Sequence, residues 1–206
     1  MKVRKEVKTM KYIDILNKRR SVYDLNDTLP ISEEELKKLI EEVTVASPTS
    51  FNMQSSQVVV LMNNAHHQLW DIVTDTLKEI VPEEAFKSTQ KKMKMFDQAK
   101  GTILFFEDQD IVEQMKTDFP LYKDQFDSFA YHSMGILQGN IWNALAEVNI
   151  GASLQHYNPL IDERVRKQFD LPANWQLTAQ MVFGGIHSIP DPKEKIPAEK
   201  RVTLFY

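Results

Sequence analysis

Two short segments carry residue types that could do chemistry together. Arg19-Arg20-Ser21 closes a helical stretch, and Pro48-Thr49-Ser50-Phe51-Asn52-Met53-Gln54-Ser55-Ser56 follows about one helix later. A guanidinium is always charged and offers a planar fork of donors that matches phosphate oxygens. The amides of Asn52 and Gln54 each offer a donor and an acceptor, which suits the imide edge of a planar heterocycle. A nucleotide-like ligand with an aromatic head would use both. Each segment also has a plainer reading: a solvated helix end running into a turn, and a polar loop.

Other chemistries find less support. The chain has no Cys, which removes disulfides, thiolate nucleophiles and Cys-ligated metal centres. Any redox step must therefore be carried by a bound organic cofactor. The five histidines (66, 67, 132, 156 and 187) form no metal-ligand spacing. His66 and His67 are adjacent near a helix start and should point in different directions, so no metal site is expected. There is no G-x-S-x-G elbow and no glycine-rich phosphate loop among only 6 Gly. Phosphate would have to be held by side chains, with Arg19, Arg20, Ser21 and Arg201 as candidates and Lys200 as a weaker one. Taken alone, Arg201 reads as an exposed charge.

These residues need elements to position them. Tyr12 to Arg20 reads as a short amphipathic helix. Ser32-Glu33-Glu34-Glu35 is a capping box that opens a second helix, buried through Leu36, Leu39, Ile40 and Val43 and ended near Pro48. Its carboxylates are read as structural. Gln57 to Met62 is β-branched and reads as a strand buried on both faces. Helices are expected over about Ala65 to Ile80 and Glu83 to Ala99, then a strand at Thr102 to Phe106 and an irregular stretch to Phe126. The run from Ser128 to Val148 has almost no charge and reads as a helix buried all round. Gly135 and Gly139, one turn apart, leave a flat stripe that suits ordinary core packing or a contact between two copies. Gly151 should end that helix. A strand from Ala152 leads into a turn at Asn158-Pro159, Ile161 to Phe169 reads as a short helix, and Gln176 to Gly185 as a third core strand. Arg201 to Tyr206 alternates enough to add a strand.

A chain of 206 residues with 42% hydrophobic content suits one globular domain spanning 1–206, of mixed helix and strand. The net charge of -4 gives no electrostatic footprint for nucleic acid. Met1 to Lys8 is basic with no apolar run behind it, so it does not read as a signal peptide. No segment approaches a membrane span, and a cytoplasmic protein is expected.

The order Arg19-Arg20-Ser21, Pro48-Thr49-Ser50-Phe51-Asn52-Met53-Gln54, Gly151-Ala152-Ser153-Leu154-Gln155-His156-Tyr157-Asn158-Pro159 and Arg201 resembles the nitroreductase family from Tyr12 onward. Ser50-Phe51-Asn52 with Gln54-Ser55-Ser56, and Gln155 to Pro159, resemble its fatty-acid-repression-type subgroup. The resemblance implies an α+β homodimer: a mixed sheet flanked by helices, a long buried dimer-core helix, and a C-terminal strand added to the partner subunit. It implies FMN at the dimer interface, NADH or NADPH as electron donor, and ping-pong reduction of nitroaromatics, quinones or similar small molecules. Arg19, Arg20, Ser21 and Arg201 would hold the phosphate and ribityl chain, and Asn52 and Gln54 the flavin ring, from the neighbouring subunit. Gln155, His156 and Tyr157 would line the isoalloxazine. Tyr23 stands two positions after the Ser, where the wider family usually has a basic residue. Gln54-Ser55-Ser56 stands where many members read Gln-Pro-Trp. No acid–base pair is nominated, because the cofactor carries the chemistry. The subgroup also suggests an alternative, a flavin-binding regulatory or sensor protein with little turnover.

Overall fold

The computed structural model describes residues 11–206; the basic stretch Met1 to Lys8 lies outside the described residues. Among the described residues seven helices surround a five-stranded sheet, an α+β architecture. The helices are α1 (Tyr12–Lys18), α2 (Glu33–Ala46), α3 (Asn64–Ile80), α4 (Glu83–Asp97), α5 (Gln109–Asp118), α6 (Phe126–Glu147) and α7 (Asp162–Gln168). The strands are β1 (Leu25–Asn26), β2 (Ser56–Met62), β3 (Gly101–Asp108), β4 (Ile150–Gln155) and β5 (Trp175–Ile186).

The long β5 organises the sheet. It pairs with β4 along one edge and, along the other, with β3 and then the two-residue β1, while β2 closes the far edge against β3. All these ladders are antiparallel; the one parallel contact is an isolated bridge between Ser21 and Ala152. One core lies on the α3, α4 and α7 side, around Trp70, Phe96, Phe106 and Val182. The other lies under α2 and α6, around Phe105, Ile141, Met181 and Phe183.

Local chemistry explains the boundaries. Ser32 Oγ accepts from the Glu35 backbone N–H at 3.2 Å and Glu35 answers the Ser32 N–H at 2.8 Å, so the acidic triplet caps α2 as expected. That bond to Ser32 also holds the Glu35 carboxyl below its usual range. Three expectations need correction. Gly151 does not end α6: the helix stops at Glu147, and Asn149 takes the left-handed conformation (φ 63°) that follows a helix end. Gly151 sits inside β4, where an added Cβ would meet Leu25 Cδ2 at 2.6 Å and Ile186 Cγ1 at 2.8 Å. Strand β2 is not buried on both faces. As the edge strand it is half-buried, with Val60 36% exposed above a groove of about 670 Å³ between β2 and α2. Nor is α6 covered all round within the protomer. It buries Phe126, Met134, Leu137, Ile141 and Leu145 but leaves Tyr131 (58%) and Ile136 (43%) exposed. A Cβ on Gly135 or Gly139 would meet nothing within 4 Å. The Arg201 to Tyr206 segment is exposed and forms no strand within the protomer.

Candidate functional site

Arg19 is the residue at which α1 gives way to extended chain (φ -63°, ψ 121°), its N–H still donating to Ile15 O at 2.9 Å. The chain then lies along β4: Ser21 bridges to Ala152, and the Val22 N–H donates to Ala152 O at 2.9 Å. The two guanidiniums part company. Arg19 lies over the Trp142 ring of α6, 4.5 Å from its centroid, a cation–π contact. Burial, and then the charge of Arg20, pull the Arg19 pKa down from its ordinary value, yet it stays cationic at neutral pH. Arg20 donates from Nη2 to Asp191 O at 2.6 Å. Trp142 Nε1, on the ring beneath Arg19, is buried without a hydrogen-bond partner among the described residues.

The loop holding Asn52 and Gln54 is bent against its own preference. Phe51, Asn52 and Gln54 all have positive φ (54°, 53° and 52°), a left-handed conformation that costs a residue with a side chain about 1–3 kcal/mol each. The surroundings enforce it. Asn52 N–H donates to Thr49 O, Gln54 N–H to Thr49 Oγ1 at 3.1 Å, and Ser50 N–H to Ser133 Oγ of α6 at 3.1 Å. Met53 is buried against Val112, Phe126 and Ala130, and the Phe51 ring sits 5.0 to 6.0 Å from those of Phe119, Tyr122, Phe126 and Phe129. The backbone is pinned while the Asn52 and Gln54 side chains stay exposed, tied only by Gln54 Nε2 donating to Asn52 O at 3.3 Å.

At the far end of β4, Gln155 is buried and donates from Nε2 to Ser153 Oγ at 3.2 Å. Tyr157 is anchored: its N–H donates to Gln180 Oε1 at 2.8 Å, and its ring meets the Trp70 ring edge-on, with centroids 5.8 Å apart. Burial pushes its phenol up to about 12, so it stays protonated. His156 is exposed and borders a cavity of about 260 Å³ whose other walls include Tyr131, Gly135 and Gln138 of α6.

The nitroreductase family profile matches residues 16–185. The chain belongs to the nitroreductase family. It is 40% identical to nitroreductase CinD from Lactococcus lactis, solved in complex with nicotinic acid; the match covers 95% of this chain and all of that one, with a TM-score of 0.88. CinD is also known in complex with 4-nitrophenol. HBN1 of Saccharomyces cerevisiae is 33% identical over 196 residues, covering 94% of this chain and 96% of that protein. A Desulfitobacterium hafniense nitroreductase with bound FMN shares the fold, with a TM-score of 0.71 at 18% identity over 96% of this chain and all of that one.

Set in the nitroreductase fold, the site residues gather only in part. Ser21 and His156 lie along one strand: Ala152 and His156 are four residues apart, roughly 13 Å at the usual strand rise. The Asn52 loop and His156 both border α6, through Ser133 and Gly135. Two residues stand apart. Arg201 is exposed and, among the described residues, no hydrogen bond or ion pair joins it to Arg19, Arg20 or Ser21. The Tyr23 ring lies 6.4 Å from that of Phe96, toward α4.

Sequence reasoning also passed over residues. Trp142 reads as ordinary helix core by spacing, and only the fold places it under Arg19. Glu107 follows an apolar run and reads as the end of a strand. It is in fact 3% exposed, with Ser56 Oγ donating to Oε2 at 3.5 Å and Oε1 unpartnered. Burial raises its pKa, against the lowering pull of the Ser55 and Ser56 hydroxyls.

Proposed function

We propose that this chain is an FMN-dependent NAD(P)H oxidoreductase of the nitroreductase type, a single domain over 1–206 that works in the cytoplasm as a homodimer. The observation that carries the reading is the loop from Phe51 to Gln54. Three side-chain-bearing residues are held left-handed there, and the loop, docked on α6 through Ser133, presents the amides of Asn52 and Gln54 at the surface. Strain of this kind gathers where a ligand is clamped. The unpartnered Trp142 Nε1 on the ring beneath Arg19 also fits a site with unmet polar demand.

In this reading Arg19, Arg20, Ser21 and Arg201 bind the phosphate end of FMN, with Trp142 stacking behind Arg19 to fix its fork. Asn52 and Gln54 hydrogen-bond the imide edge of the ring. Gln155 and His156 border the ring. Tyr157 supports them from behind, its phenol protonated against Trp70, while Tyr23 stays near the pyrimidine end without adding a charge. When bound, FMN supplies a two-electron carrier that accepts hydride from NADH or NADPH and passes it to a nitroaromatic, a quinone or a similar acceptor. The protein contributes placement, a partly dry wall and charge complementarity.

The homodimer is supported by α6. Each helical Gly costs about 0.5–1 kcal/mol relative to Ala. Inside the protomer Gly135 and Gly139 gain nothing for that, because no atom approaches the space a side chain would fill. A second α6 laid across them would use the flat stripe and cover Tyr131 and Ile136. The exposed apolar segment Val202 to Tyr206 then has a place on the open edge of the partner's β2, above the groove that β2 forms with α2.

The test is steady-state oxidation of NADH and of NADPH by the purified protein with a nitroaromatic and with a quinone. Acceptor-dependent turnover with parallel double-reciprocal plots is expected. Bound flavin with no acceptor-dependent turnover would replace this reading by the regulatory one.

A further inference from the structure

His66 and His67 open α3 and Asp97 closes α4, and the two helix ends meet beside the first residues of β3. His66 is wholly buried. Its Nδ1 lies 3.0 Å from Thr102 Oγ1, an oxygen that also accepts from Trp70 Nε1 at 3.1 Å. Its Nε2 is buried with no hydrogen-bond partner among the described residues. His67 Nδ1 lies 2.6 Å from Asp97 Oδ1. One ligand-type atom from each of the three residues stands within 4.8 Å of the other two. A cavity of about 500 Å³, lined by Asp27, Asn63 and Lys100 among others, opens onto His67 and Asp97, with His66 buried behind them.

We infer that His66, His67 and Asp97 form a binding site for a divalent transition-metal ion of the zinc type, apart from the flavin. The donor set is two imidazoles and a carboxylate, which zinc takes at about 2.0–2.2 Å, so ligand atoms around it stand roughly 3.3–3.5 Å apart. The present spread exceeds that by little more than 1 Å. His67 is exposed and Asp97 only half-buried, so both can move inward without disturbing the core. The buried member is already oriented. In the tautomer that donates Nδ1–H to Thr102 Oγ1, the His66 ring presents the lone pair of Nε2, the arrangement in which an outer hydrogen bond orients a ligating histidine.

Adjacent histidines on a helix diverge, which is why their spacing shows no site. Here Asp97 comes to them from another helix. Lys100 shares the cavity wall, but its charge is met by Glu33 at 2.8 Å. Water remains to complete the coordination. A bound ion would pin the start of α3 to the end of α4.

Zinc titrated into the tag-free, full-length chain, followed by calorimetry and by thermal unfolding, tests the inference. One ion per chain and a raised melting temperature are expected. His67→Ala and Asp97→Asn should each weaken binding at least tenfold and remove the zinc-dependent rise, while His132→Ala should bind like the parent. Both substitutions fall at positions open to solvent, and zinc-free melting checks that each variant folds. No binding by the parent overturns the site. So does binding that survives both substitutions, or binding that is lost in His132→Ala.

Discussion

Arg19 shows how one side chain can be both packed and available. Its guanidinium covers the Trp142 ring, which removes rotamer freedom before any anion arrives. A fork held in advance loses less entropy per hydrogen bond formed. Arg201, by contrast, is exposed, and among the described residues its guanidinium makes no hydrogen bond or ion pair. A phosphate shared by the two would bring them together. Charge-assisted hydrogen bonds contribute about 1.5–3 kcal/mol each. Combining Arg19→Ala with Arg201→Ala should therefore weaken FMN binding by roughly a hundredfold or more, read as flavin retained after gel filtration and as a fluorescence titration. Unchanged flavin content would remove both residues from the phosphate site. The type of each candidate was legible in the sequence, but the partners were not. Nothing local to Arg19 reveals a tryptophan more than a hundred residues on. Nothing local to Tyr157 reveals that its ring packs on Trp70, leaving His156 as the exposed member of that trio.

Strand β3 carries a consequence of its own. Its run from Gly101 to Phe106 is wholly buried, and Glu107 continues it into the same dry environment beside Ser55 and Ser56. Burial raises the Glu107 pKa above its unfolded value, so the native state holds this proton more readily than the unfolded chain does. Stability is then lost as pH rises from the ordinary carboxylate range through the folded pKa. Glu107→Gln removes the titration. Its urea midpoint should gain on the parent between pH 4.5 and pH 7.5, and a constant difference across that range would contradict the assignment. At this scale most elements were legible, because helical spacing, the Ser32 capping box and β-branched runs are local signals. The misreadings share a cause. The sheet order makes β2 an edge, Asn149 rather than Gly151 takes the left-handed turn, and α6 faces outward on one side. Each depends on which elements become neighbours, which composition within a segment cannot report.

For the whole molecule, the protomer is a finished core with unfinished surfaces. The exposed stripe of α6, the cavity beside His156, the open edge of β2 and the apolar segment to Tyr206 are the surfaces that the proposed second copy, with flavin held between the two, would cover. Gly135→Leu separates this account from a merely structural one. Within the protomer the new side chain enters open space, and Leu favours the helix over Gly by most of a kcal/mol. Between two copies it would block the close approach. The measurement is size-exclusion chromatography with in-line light scattering and flavin absorbance, run on the parent and on Gly135→Leu. The account predicts a parent mass of twice 23.9 kDa co-eluting with flavin, and a folded variant at half that mass with little flavin. A parent that is monomeric or colourless, or a variant that keeps both its partner and its flavin, would contradict it.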